Sequence, residues 1–277
     1  MATAMTTPLP ASPEFLRLAV FAGLFAVLAL CEHRWPRRAL TVSKPQRWLV
    51  NLAIVVLDTF LARLILPLAP FALAVQLQAK GWGLFNLLSF AGAGETIVSL
   101  LALDLLIYGQ HRLFHRLPLF WRLHRMHHTD LDLDVSSGTR FHPIEILLSL
   151  AIKMAAVAVL GIAPVSILLF EILLNATSMF SHANLRLPLA LDRWLRWVIV
   201  TPDMHRVHHS VILRELDSNF GFNLPWWDRL FGSYTGQPRD GHAGMRIGLA
   251  QWRHQDELGL WSLLRMPLAP LPRRRTP

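Results

Sequence analysis

The chain has 277 residues, 53% of them hydrophobic and only 16% charged, with a mean hydropathy of +0.38 and a formal net charge of +9. A soluble domain usually carries about 25% charged residues, so this composition argues against an ordinary soluble enzyme and for an integral membrane protein. One cysteine, Cys31, excludes an intrachain disulfide and a cysteine-based metal cluster. The positive charge sits on Arg residues beside apolar runs and lacks an aromatic-interleaved platform, which fits contact with anionic lipid on the cytoplasmic side and not nucleic acid.

Residues 1–14 are small, polar and Pro-containing and read as disordered. Phe15 to Cys31 is the first apolar span. Leu28-Ala29-Leu30-Cys31 faintly resembles a lipoprotein cleavage box, but Leu30 is too bulky and no basic run precedes the span, so it reads as a retained helix. A basic loop follows, with Arg34, Arg37, Arg38, Lys44 and Arg47. Leu49 to Gln78 is a second apolar stretch with Asp58 and Arg63 inside it; Pro67 and Pro70 predict a kink or a break. Residues 80–95 read as a Gly-rich loop, and Thr96 to Tyr108 opens a third helix.

Ile144 to Leu160 and Pro164 to Phe180 are two further apolar segments, split by Gly161-Ile162-Ala163-Pro164 as in a hairpin. Each is short of the ~20 residues of a comfortable span, so the hairpin crosses or is re-entrant. Leu189 to Val200 alternates Trp194 and Trp197 with Arg193 and Arg196 and predicts an interfacial helix. The chain closes on Arg273-Arg274-Arg275. The positive-inside rule puts the 33–47 loop in the cytoplasm, which brings every histidine cluster to that same side.

Those clusters carry the chemistry. His111 and His115 stand at i, i+4, and two copies of one pattern follow: His124-Arg125-Met126-His127-His128 and His205-Arg206-Val207-His208-His209. Eight of thirteen histidines therefore lie in three short clusters beside apolar segments. On a helix i, i+3 and i+4 share a face, so each cluster is expected to aim its rings at one point. A neutral imidazole offers a lone pair to a transition metal, and eight ligands exceed what one ion takes, which implies two ions. The helical zinc-protease signature needs Glu after its first His; Arg125 and Arg206 occupy those places.

His182 shares a helical face with Asn175 and Ser178 and reads as a further ligand or a partner of one. His142, beside Pro143, reads as a ligand or as a hydrogen-bond partner of one. Asp104, Asp203 and Glu145 are candidates to orient liganding rings, with helix caps or Arg pairing as the alternative for each. His33, His242 and His254 read as solvated.

Taken together, these boxes resemble the fatty acid hydroxylase/sterol desaturase superfamily of membrane di-iron enzymes. The resemblance rests on His111-Arg112-Leu113-Phe114-His115, the aromatic link Leu119-Phe120-Trp121-Arg122-Leu123, both HRxHH boxes, Arg140-Phe141-His142-Pro143, Ser181-His182-Ala183-Asn184, and the segment from Asn219-Phe220-Gly221 to Phe231-Gly232. It covers about residues 95–235. The implied fold is all-α: a polytopic membrane helical bundle of about four to five segments with a cytosolic histidine-rich helical cap. The expected organisation is N-terminal membrane helices over 1–94, a catalytic region over 95–235 and a basic cytosolic tail over 236–277.

The resemblance implies two Fe ions (Zn as a substitute), metal ligands His111, His115, His124, His127, His128, His182, His205, His208 and His209, and hydroxylation or desaturation of a lipid with O2. No cytochrome b5, flavin or dinucleotide fingerprint is visible, so electrons are expected from an external donor: ferredoxin, cytochrome b5 or a reductase. The expected location is the cell inner membrane with the site on the cytoplasmic side. Trp121, Trp226 and Trp227 are candidates for interfacial anchoring or a lipid entrance. The rival readings are a non-redox zinc-dependent lipid enzyme and a membrane metal transporter or sensor.

Overall fold

The computed structural model describes residues 12–66 and 69–271. The expected disorder of residues 1–11, the kink at Pro67 and the Arg273–Arg275 cluster lie outside the described residues. In chain order the α-helices are α1 (Pro13–Arg34), α2 (Lys44–Ile65), α3 (Pro70–Ala79), α4 (Leu84–Leu87), α5 (Ala93–Arg116), α6 (Pro118–His128), α7 (Pro143–Leu160), α8 (Pro164–His182), α9 (Leu189–Leu195), α10 (Pro202–His208), α11 (Leu213–Leu216), α12 (Trp226–Leu230), α13 (Gly241–Gly244) and α14 (Leu260–Arg265). Among the described residues there is no β-strand, only two isolated bridges.

Proline opens most of these helices. Pro13, Pro45, Pro70, Pro118, Pro143, Pro164 and Pro202 all lie in a first turn, where the missing N–H costs nothing and the fixed φ suits the helix. Ser12 caps α1 by accepting from the Phe15 N–H at 3.2 Å, so the first helix begins two residues before the apolar run does.

Five segments are long and apolar enough to cross a membrane: Pro13–Arg34, Lys44–Leu87, Ala93–Arg116, Pro143–Leu160 and Pro164–His182. The protein is therefore an integral membrane protein with a polytopic helical bundle. Its lipid-facing residues include Leu30, Leu49, Val56 and Val159, all at least 69% exposed. The second segment breaks after Ile65 and resumes at Pro70. α7 and α8 are full helices of 18 and 19 residues, about 27 Å each, so the hairpin leaves and returns. Gly161 makes that turn in the left-handed region at φ 70°, and a Cβ there would stand 2.8 Å from the Trp82 carbonyl oxygen. Any other residue would push the 82–86 turn away.

The C-terminal segment is not a free tail. Leu263 and Met266 are buried with Ile54, Met126 and Leu131 in one apolar cluster. The Arg125 guanidinium, at most 1% exposed, donates to the carbonyls of Met266, Ala269 and Pro270, and Arg122 donates to Pro267 and Ala269. The arginine inside the first HRxHH box thus clamps residues 266–270 over α6. The interfacial helix is shorter than its pattern suggested, ending at Leu195, and Trp194 remains 72% exposed.

Candidate metal centre

The C-terminal ends of α1, α5 and α8 meet the N-terminal ends of α2 and α7 at one end of the bundle, and α6 and α10 lie across it. Nine histidines converge there, all buried. They form two groups. His111, His115, His124, His128 and His208 make one; His127, His182, His205 and His209 make the other. Within each group one ligand nitrogen per residue lies within 4.8 Å of all the rest. Nitrogens sharing an ion at ~2.1 Å must sit within about 4.2 Å of one another, so both groups are close to a coordination sphere. The His128 and His209 rings stack across the two groups at 4.5 Å.

Each HxxHH box is divided, which corrects the expectation that a box aims at one point. His124 and His128 serve one group and His127 the other; His205 and His209 serve one and His208 the other. From His124, His128 lies about 40° round the helix and His127 about 60° the other way. The i, i+4 pair stays together and the i+3 ring crosses over.

The remote ring nitrogens explain how the lone pairs are presented. His111 Nδ1 lies 2.8 Å from the Phe220 carbonyl, His127 Nδ1 3.0 Å from Arg140 O, His182 Nδ1 2.7 Å from Ser178 O, and His208 Nδ1 2.6 Å from Ser218 O. A carbonyl only accepts, so each Nδ1 carries the proton and each Nε2 keeps a bare lone pair. Yet the Nε2 atoms of His127 and His182 stand 3.1 Å apart, with His182–His205 at 3.2 Å and His205–His209 at 3.3 Å. His127 and His182 are both acceptors at that contact, an arrangement that a cation between them satisfies. Nε2 of His111 and of His208, in the other group, is buried with no protein partner. The residues fit a pair of bound transition-metal ions.

Burial keeps these rings neutral. It drives His124 down to about 3, and it holds His127, His128, His205, His208 and His209 well below the ordinary histidine value, with neighbouring imidazoles adding to the effect. A histidine with a depressed folded-state pKa takes up protons more readily when unfolded, so acid favours the unfolded chain. The stabilisation is complete above the unfolded value near 6.5 and is lost as pH falls towards the folded ones. The metal-free protein is therefore expected to melt lower at pH 5.5 than at pH 7.5 in thermal scans; equal midpoints would contradict neutral buried rings.

The other candidates fall into place by their contacts. Glu145 meets His124 Nδ1 at 2.7 Å and fixes that ring. Ser178 acts through its backbone carbonyl on His182, while its hydroxyl donates to Gly138 O. A Cβ at Gly138 would stand 2.5 Å from that same Ser178 carbonyl, so only glycine leaves it in position. Asn175 donates to Glu171 O and reaches no histidine. His142 is neither a ligand nor a partner of one: it caps α7 at Ile144 N and its Nε2 meets Leu264 O. Asp104 touches no histidine either. It accepts from the N–H groups of Asn223 and Leu224 and from Trp227 Nε1, anchoring the loop that supplies Phe220 O to His111.

Asp203 pairs with Arg37 at 3.0 Å and with Arg206, not with a ligand ring. His242, expected in solvent, is 6% exposed and faces Asp203 at 3.6 Å. His33 and His254 are exposed. Trp226 and Trp227 donate to Trp197 O and Asp104, whereas Trp121 packs against His115 at 5.0 Å.

Three features escaped the sequence. Phe141 stacks flat on His127 at 4.4 Å. Glu32 accepts from the Val135 and Asn184 N–H groups and ties α1 to the site. Arg47, read as a loop cation, is buried and joins Asp130 and Asp134, both at 2.7 Å. The alternation Asp130, Asp132, Asp134 just after a histidine box was the available signal.

A membrane bundle with a buried, all-imidazole centre able to hold two ions defines a class of membrane metalloprotein. Residues 96–233 match the family model for fatty acid hydroxylase, and through that region the chain belongs to the fatty acid hydroxylase family. Over 151 residues it is 33% identical to an ornithine lipid hydroxylase of Rhizobium tropici, covering 53% of this chain and 44% of that one. It is 29% identical over 139 residues to the alkylglycerol monooxygenase of Xenopus tropicalis, covering 50% and 30%. It is 28% identical over 154 residues to a very-long-chain aldehyde decarbonylase of Oryza sativa subsp. indica, covering 50% and 24%. The match thus spans less than half the length of these relatives. No solved structure matches the chain.

Proposed function

We propose that this chain is an O2-dependent di-iron oxygenase that hydroxylates a lipid. The observation that carries the reading is the convergence of nine buried imidazoles in adjacent groups of five and four, with His111 and His124 bordering a cavity of about 490 Å³ that runs into the bundle. Two iron ions would supply the redox chemistry, activating O2 with two electrons from an external donor and oxidising an unactivated C–H bond. The chain supplies the rest. Phe114, Phe141 and Phe222 line the cavity beside the histidines, where they exclude water and confine an alkyl chain. Glu145 and the carbonyls of Phe220, Arg140, Ser178 and Ser218 hold the remote ring protons and so the ring directions.

The names of the relatives, lipid hydroxylase and monooxygenase, favour hydroxylation of a lipid over desaturation. Arg34, Arg37 and Arg38 at the histidine end support a cytoplasmic site in the cell inner membrane. That face is also where a ferredoxin, cytochrome b5 or reductase would deliver electrons. A transporter would set its ligands along a path near the midplane, whereas these sit at helix ends. Expression under 18O2 tests the reading. A hydroxylated lipid carrying one labelled oxygen, with about two irons per chain, is expected. Zinc content without labelled product would sink it in favour of a non-redox enzyme, and metal flux into vesicles in favour of a transporter.

A further inference from the structure

The cavity does not end in hydrocarbon. Its far end carries an ion cluster from three different helices: Glu171 on α8 meets Lys153 of α7 at 2.8 Å and Arg17 of α1, whose side chain is 32% exposed, at 2.9 Å. The Glu171 and Lys153 side chains are 3% and 11% exposed. Glu171 lies eleven residues before His182 on one helix, which sets it roughly 16 Å from the histidines at 1.5 Å per residue. Arg17 stands four residues inside the start of α1 and Glu171 seven residues inside the start of α8, so the cluster sits in the half of the bundle away from the histidines.

Two cations share one carboxylate here: Lys153 donates a hydrogen bond to Oε1, and Arg17 makes an ion pair with Oε2. Lys153 and Arg17 keep further N–H groups that no described residue accepts. Arg63 and Glu14, both exposed, also line the cavity, so the uncompensated charge is that of the cluster itself: Lys153, 11% exposed, and Arg17 against Glu171. An excess cation held out of water is costly unless an anion joins it. An anionic head group seated at this end would give the excess cation a partner.

We propose that Arg17, Lys153 and Glu171 form an anion-recognising head-group anchor. It would hold the carboxylate or phosphate of a single-chain lipid in the half of the bundle away from the histidines, so that the tail reaches them. The oxidised carbon is then set by its distance from the head and lies well along the chain. The assignment rests on the oxygenase reading only for the reaction; the binding stands apart from it.

Binding of hexadecanoate, hexadecyl phosphate and hexadecan-1-ol to the metal-free, detergent-solubilised full chain tests the anchor. At least one anion is expected to bind about tenfold tighter than the alcohol, as a charge-assisted contact requires, and the tighter of the two identifies the head group. Lys153→Met leaves a one-to-one Arg17–Glu171 pair and should remove the preference, while Lys153→Arg should keep it. Equal affinity for alcohol and anions, or a Lys153→Met variant that retains the preference or weakens all three probes alike, would overturn the anchor. A protein that prefers the anions but yields no oxygenated product would sink the oxygenase reading alone.

Discussion

Replacing His127 with alanine is expected to abolish turnover and to take the purified protein from two metal ions to one. His127 belongs to the four-nitrogen group, so its loss leaves three imidazoles to hold that ion. The ring also stacks on Phe141 and takes its direction from the Arg140 carbonyl. The five-nitrogen group loses nothing and should keep its ion. His128→Ala, which leaves four nitrogens in the other group, should retain more metal than His127→Ala. Metal analysis of both proteins beside a turnover assay checks this. Two ions and normal turnover in His127→Ala would refute the division of the boxes.

Arg47→Met should cost roughly 3–5 kcal/mol of stability, the usual penalty for removing one partner of a buried ion pair. Arg47 is 4% exposed and donates to Asp130 at 2.7 and 2.9 Å, to Asp134 at 2.7 Å, to the Asp132 carbonyl at 2.7 Å and to Ser137 Oγ at 3.0 Å. Methionine fills the space and leaves two buried carboxylates short of a cation. The 129–140 loop that loosens carries the carbonyl orienting His127, so metal loss should accompany the drop. Arg47→Lys should rescue little, since an ammonium cannot span both carboxylates as the guanidinium fork does. Thermal unfolding in detergent with parallel metal analysis provides the measurement, and an unchanged midpoint in Arg47→Met would contradict the role.

The division between what was legible and what was not follows interaction range. Membrane spans show in hydropathy because lipid acts on every residue of a helix alike. The liganding candidates show in spacing because i, i+3 and i+4 relations are local. His142 misled because the sequence cannot tell whether a ring caps its own helix or faces a distant one. Asp104 misled in the same way, since it serves a loop, whereas for Asp203 the alternative of Arg pairing is the one the structure shows. Arg47 looked like a solvated loop charge because its partners lie more than eighty residues away.

By itself the sequence determined a helical membrane protein, its five apolar segments and the residue type that dominates its polar centre, since each of these follows from composition or from neighbours within a helical turn. Only the tertiary structure decided which imidazoles share a group, which carbonyls hold their protons, and that Arg17, Lys153 and Glu171 meet at the far end of one cavity. Those outcomes depend on how separate helices rotate against one another, and packing of the whole bundle sets that rotation.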